Sequence, residues 1–107
     1  MGNAIDPSLL PGQWIHAHEE DTAEAMVFRR PTHIFPPSRQ RRSFELRPDG
    51  SMTDKRLGAD DRPRPTEGSW SLVDQNHLEL APQDPALPKS RLAIDDLSAD
   101  KLVVSQR

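Results

Sequence analysis

The chain has 107 residues, of which 34% are hydrophobic and 29% are charged, and it contains no cysteine. This length suits one domain with a thin core, and the absence of thiols excludes disulfides, Cys-based zinc sites and cysteine catalysis. The net charge of −3 gives no overall attraction to nucleic acid, and no apolar run is long enough to cross a membrane as a helix. We expect a single cytoplasmic domain over residues 1–107 with a flexible arm at 1–8.

Alternating apolar and polar residues predict two short strands near the start of the chain. The first pattern covers Gln13 to Glu19, and the second covers Ala25 to Arg30. Prolines stand at positions 31, 36 and 37, directly after the second pattern. Because proline has no backbone donor for a sheet, we expect an irregular loop after the second strand.

Two hairpins are predicted in the middle of the chain. The first joins Ser43–Arg47 to Met52–Leu57 through Asp49-Gly50, a pair that readily adopts the positive φ angles of a tight turn. The second joins Gly68–Leu72 to a return strand containing Leu78 and Leu80. Each hairpin should bury one face.

The last part of the chain adds two more strands. Arg91 to Asp95 alternates apolar and polar residues, and Lys101 to Gln106 comes after a Ser-Ala-Asp turn. About eight short strands at this spacing are typical of an all-β protein. The predicted fold is a small antiparallel up-and-down β-barrel.

Several motifs resemble those of small bacterial lipocalin-like domains of the calycin group. They are LPGQW near the start, FELRPDGS in the middle, and GSWSL with LEL and LSADKLVV after it. The resemblance implies a lipocalin-like barrel in which Trp14 closes one end. It also implies that a basic residue late in the chain, Arg107, stacks over that tryptophan.

The stretch QWIHAHEED raises the question of a site. On a regular strand, alternation places Trp14, His16, His18 and Glu20 on one face, and the tryptophan should turn that face inward. Two imidazoles at this spacing with a carboxylate are a metal-ligand pattern, with Glu20 or His33 as the third donor. The alternatives are a wet barrel mouth of hydrogen-bonded histidines, or a proton-transfer pair in a small enzyme.

A second cluster is basic. Its arginines are Arg29, Arg30, Arg39, Arg41 and Arg42, on either side of Phe35. Guanidinium groups suit carboxylate or phosphate ligands. The simpler alternative is internal pairing with the neighbouring acidic residues Glu19, Glu20, Asp21 and Glu24.

The leading functional expectation is a non-catalytic binding module for a small polar or amphipathic ligand or a partner protein. The residues expected to line its mouth are His16, His18, Glu20, Arg30, Arg41 and Arg42. The main alternative is a metal-binding protein or enzyme holding a divalent metal at His16, His18 and Glu20. A third is an interaction protein that uses the loops at Pro31–Arg39 and Pro82–Pro88. We expect a monomer or weak homodimer that binds neither nucleic acid nor membrane.

Overall fold

Eight antiparallel strands close into one barrel in the computed structural model, which describes residues 6–37, 41–57, 63–74, 76–84 and 89–105. The strands are β1 (Gly12–His16), β2 (Ala25–Arg29), β3 (Ser43–Leu46), β4 (Ser51–Leu57), β5 (Pro63–Val73), β6 (His77–Pro82), β7 (Ser90–Leu97) and β8 (Lys101–Ser105). The prediction of a small all-β antiparallel barrel is confirmed.

Two three-residue 3-10 helices accompany the strands, at Pro7–Leu9 and His18–Glu20. No helix in the described ranges is long and apolar enough to span a bilayer. Of the arm expected at 1–8, residues 1–5 lie outside the described part. The described part of the arm starts at Asp6. The Asp6 side chain accepts a hydrogen bond from Ser8 N at 3.0 Å and caps the first of these helices.

The first strand is shorter than its sequence pattern predicts. It ends at His16, and the chain leaves the sheet at Ala17, whose backbone N donates to Val27 O at 2.8 Å. Glu20 N then donates to Ala17 O at 2.9 Å and closes a 3-10 turn. The expectation that His18 and Glu20 continue the inward face of a strand is therefore wrong, because these residues lie in that turn.

The strand order around the barrel is β1-β2-β8-β7-β6-β5-β4-β3. From β3 to β8 the chain is a simple meander, as the predicted up-and-down barrel requires, whereas β1 and β2 depart from that order. Strand β1, however, lies between β2 and β3 and is antiparallel to both, so β2 and β3 run in the same direction. The connection between them starts after Arg29 and ends before Ser43, both of which pair with Ile15, and we call its residues 31–37 the crossover segment.

The two ends of β1 define the two ends of the barrel. The Gly12 end carries the β3–β4, β5–β6 and β7–β8 turns, and the His16 end carries the β1–β2 connection and the start of β3. At the Gly12 end, Gly50 has φ +91°, as the predicted Asp-Gly hairpin requires.

Large apolar side chains fill the barrel interior. The fully buried ones are Trp14, Phe28, Phe44, Leu10, Leu46, Met52, Leu78, Leu80, Leu102 and Val104. Trp70 and Leu72 are partly buried and pack against this core. The inward positions expected from the Gly-x-Trp and hairpin patterns are those that the core uses.

Candidate functional site

A tryptophan and an arginine close the Gly12 end. Trp14 is completely buried, and its Nε1 donates to Leu10 O at 2.9 Å. The Cζ of Arg30 lies 3.7 Å from the centroid of the Trp14 ring, which is a close cation–π contact. The stacking role that the resemblance gives to Arg107 is filled here by Arg30, while Arg107 lies outside the described residues.

Arg30 is also a hydrogen-bond hub for the backbone. Its guanidinium donates to the carbonyl oxygens of Leu9, Pro11 and Ala99 at 2.7, 3.2 and 3.0 Å. Gly12 has φ +123°, and a Cβ built there would lie 2.4 Å from Arg30 Nη1, so glycine is needed beside this group. Burial lowers the pKa of Arg30. We expected this residue at the mouth with His16, and the structure places it at the opposite end.

Consecutive carboxylates hold the His16 end together. Glu19 pairs with Arg41, whose Nη1 donates to Glu19 Oε1 at 2.9 Å. This hydrogen bond lowers the pKa of Glu19 to about 2. Arg41 also donates to His16 O at 2.9 Å and to Pro36 O at 2.7 Å. Arg41 thus links the β1–β2 connection to the crossover segment, through an ion pair with Glu19 and a hydrogen bond to Pro36.

The next two carboxylates both contact β2, and the second also contacts β1. Arg29 donates to both oxygens of Glu20, at 2.8 and 2.6 Å, and this lowers the pKa of Glu20 and raises that of Arg29. Asp21 Oδ2 lies 2.9 Å from His16 Nε2, and Asp21 Oδ1 accepts from Val27 N at 2.9 Å. We call Glu19, Glu20 and Asp21 the acidic clamp. For Arg29 and Arg41, the internal-pairing alternative describes the structure.

Inside the barrel at the His16 end, polar side chains pack against aromatic rings. The His16 ring stacks on Phe28 with centroids 5.1 Å apart, and Phe28 lies 5.0 Å from Phe44. Arg42 lies over Phe44 and donates to Asp54 Oδ2 at 3.1 Å. Asp54 is 6% exposed. This aspartate was not among the residues predicted from the sequence, although alternation with the inward Met52 could have identified it.

The six expected mouth residues therefore do not form one site. His16 and Arg42 face the interior, whereas Glu20 and Arg41 belong to ion pairs around the β1–β2 connection, and Arg30 is at the far end. His18 is exposed, with Nε2 3.5 Å from Glu19 Oε2 and its ring 6.0 Å from the His16 ring. Within the part of the chain that the structure describes, no three His, Cys, Asp or Glu side chains are grouped as metal ligands.

The crossover segment presents an apolar residue to solvent. Ile34 is 91% exposed, and it is the one exposed large hydrophobic residue in the described ranges. Its neighbour Phe35 is half-buried beneath Arg41, whose Cζ lies 4.7 Å from the Phe35 centroid, and the His33 and Phe35 rings form a T-shaped pair with centroids 4.8 Å apart. The contacts of Phe35 therefore hold the segment in place, whereas the side chain of Ile34 projects into solvent.

Comparison with known proteins gave no matching family model, no significant match to a curated protein and no significant match to a solved structure.

Proposed function

We propose that this chain is a non-catalytic binding module, a lipocalin-like barrel of the small bacterial type that its turn motifs resemble, and that it binds a partner protein through the crossover segment. The observation that carries the proposal is the 91% exposure of Ile34 on a segment that is fixed on both sides. The cytoplasmic location expected from the sequence stays a prediction.

The energetics favour binding at this position. Burying an isoleucine side chain against a partner contributes about 1.5–3 kcal/mol. The segment is already held by the hydrogen bond from His33 N to Arg30 O at 3.0 Å and by the Arg41 contacts to Phe35 and Pro36. Because its conformation is set before binding, association loses little further chain entropy.

The chemistry of the segment indicates the kind of partner. Pro31, Pro36 and Pro37 are exposed and have no backbone N–H. A strand added along this segment would therefore lack donors, so main-chain pairing is a poor mode of recognition here. The segment is better suited to a folded protein that has an apolar pocket for Ile34 and polar groups around it.

Site-specific photo-crosslinking in the cells of origin tests this proposal. A photoreactive residue at exposed Thr32 should give one discrete adduct with a different protein. The same residue at Ser71, on the far side of the barrel, is the control and should give none. The Thr32 adduct should disappear in an Ile34→Ser background and persist in Ile34→Val, because valine keeps most of the apolar surface.

Three results would overturn the proposal. These are no adduct from Thr32, an adduct that persists in Ile34→Ser, or an adduct with twice the mass of this chain. Since Ile34 is exposed, we expect all variants to remain folded, and circular dichroism checks this.

The interior of the His16 end supports a second candidate, the binding of a small polar ligand. Asp54 is buried and faces inward beside Arg42, and His16 lies at the same end over the Phe28–Phe44 pair. Buried ionic groups at the mouth of a barrel are a common arrangement for fixing a ligand's polar head.

Native mass spectrometry with elemental analysis tests this second candidate. Protein purified without chelator should carry additional mass from a small molecule. The fraction of protein that carries this mass should be smaller in Arg42→Gln. A bare monomer would contradict both a tightly held ligand and the predicted divalent metal. It would leave the crossover proposal unaffected, since that proposal depends on Ile34.

A further inference from the structure

The outer face of the barrel has a groove across β6, β7 and β8, away from the crossover segment. Its volume is about 360 Å³, and its lining residues are His77, Arg91, Ala93, Asp95 and Ser105. Ala93 pairs with His77, and Val104 pairs with Ile94, so Ser105 lies at the level of Ala93 on the other side. The small alanine forms the floor between larger side chains.

His77 carries an unsatisfied polar atom beside this groove. Its Nδ1 is buried and has no hydrogen-bond partner, the one such side-chain atom in the described ranges. A buried polar atom without a partner costs roughly 1–3 kcal/mol, so native proteins contain few of them. His77 lines the groove, so a hydrogen-bonding molecule bound there would lie beside this unsatisfied side chain.

The two ends of the groove carry opposite charges. Arg91 lies two residues before Ala93 and Asp95 two residues after it, and the register of β7 against β8 shifts between Ile94 and Asp96. Such an irregularity re-aims the side chains beside it and is frequent near binding sites. Arg91 currently pairs with Glu79 at 3.2 Å, but its side chain is 56% exposed, and exposed pairs of this kind exchange partners at little cost.

We propose that this groove binds a small zwitterion such as a short peptide with free termini. The carboxylate binds Arg91, the ammonium group binds Asp95, and the groups between them hydrogen-bond to His77 and Ser105 over the Ala93 floor. Guanidinium–carboxylate pairing accounts for the first contact, and simple ion pairing accounts for the second. A volume of about 360 Å³ is within the range of small-molecule sites.

Titration of the whole chain with triglycine, monitored by amide NMR shifts, tests the proposal. Saturable shifts should be confined to β6–β8 around Ala93. N-acetylated triglycine and triglycine amide each lack one charge, and each should bind about fivefold more weakly or worse. Arg91→Gln should weaken binding of triglycine but not of its amide, and Asp95→Asn should weaken binding of triglycine but not of its acetylated form.

Asp96→Asn is the matched control, because Asp96 is exposed next to Asp95 but does not line the groove, and it should leave binding unchanged. His77→Gln should also weaken triglycine binding. Non-saturable shifts, equal binding of the blocked peptides, or equal loss in Asp96→Asn would each overturn the zwitterion site. None of these outcomes bears on Ile34, so the crossover proposal is judged separately.

Discussion

The two ends of the barrel are both closed by arginines, but in different ways. At the Gly12 end, Arg30 donates to neutral backbone carbonyls and stacks on a buried tryptophan. At the His16 end, Arg29 and Arg41 pair with the carboxylates of the acidic clamp. The first arrangement does not depend on any titrating acid. The second should respond to pH and salt, and it lies next to the surface that we propose for binding.

The largest expected effect comes from removing the ring at the Gly12 end. Trp14→Ala should lower the free energy of unfolding by about 3–5 kcal/mol, because it empties a fully buried position and removes the surface on which Arg30 stacks. Urea denaturation measures this loss. Trp70→Ala is the control, and since Trp70 is only partly buried its loss should be smaller. Equal losses would mean that Trp14 has no special role in closing the barrel.

A smaller effect distinguishes the two kinds of arginine. Arg30→Lys should cost about 2 kcal/mol, because an ammonium group cannot reach three carbonyls on different segments while stacking on the ring. Arg42→Lys should cost less, about 1 kcal/mol, because lysine keeps a charge to pair with Asp54 and loses one of the two hydrogen bonds. Thermal or urea unfolding of both variants measures the difference. If the two substitutions cost the same, Arg30 acts through its charge alone.

The smallest effect concerns pH. The pKa of Glu19 in the folded protein is about 2, below its usual value of 4.5, so the ionised form favours folding. Glu19→Gln should therefore be less stable than the wild type above pH 4.5, and the difference should shrink as the pH falls towards 2. In an Arg41→Gln background this pH-dependent difference should vanish. A difference that stays undiminished as the pH falls from 4.5 to 2 would show that Glu19 acts by packing.

Much of the barrel could be predicted from local chemistry. The Asp49-Gly50 turn and the buried Trp14 are determined by residues close in sequence, and the structure contains both. The end of the first strand is different, because it depends on Asp21 accepting a hydrogen bond from Val27 N in the next strand. The alternation of apolar and polar residues carries no information about such a contact, so a prediction based on it makes the first strand too long.

The site was harder to predict than the fold for the same reason. His16 and Arg42 face inward as strand parity requires, but Arg30 depends on carbonyls at both Leu9 and Ala99, which are distant in sequence. Arginines that look alike in the sequence therefore occupy opposite ends of the molecule. Asp54 could have been placed by parity with Met52, and its position as the partner of Arg42 depends on the β3–β4 register.

The strand order also determines when the barrel can close during folding. Because β1 lies between β2 and β3, the barrel closes where β2 meets β8, with Ala25 opposite Ser105 and Arg29 opposite Lys101. These partners come from nearly opposite ends of the chain, so this pairing has a high entropic cost and should be among the last contacts to form. A nascent chain that has not yet released β8 presents two open sheet edges, on β2 and β7. Slow emergence of β8 should thus be the stage at which this barrel is most prone to aggregate.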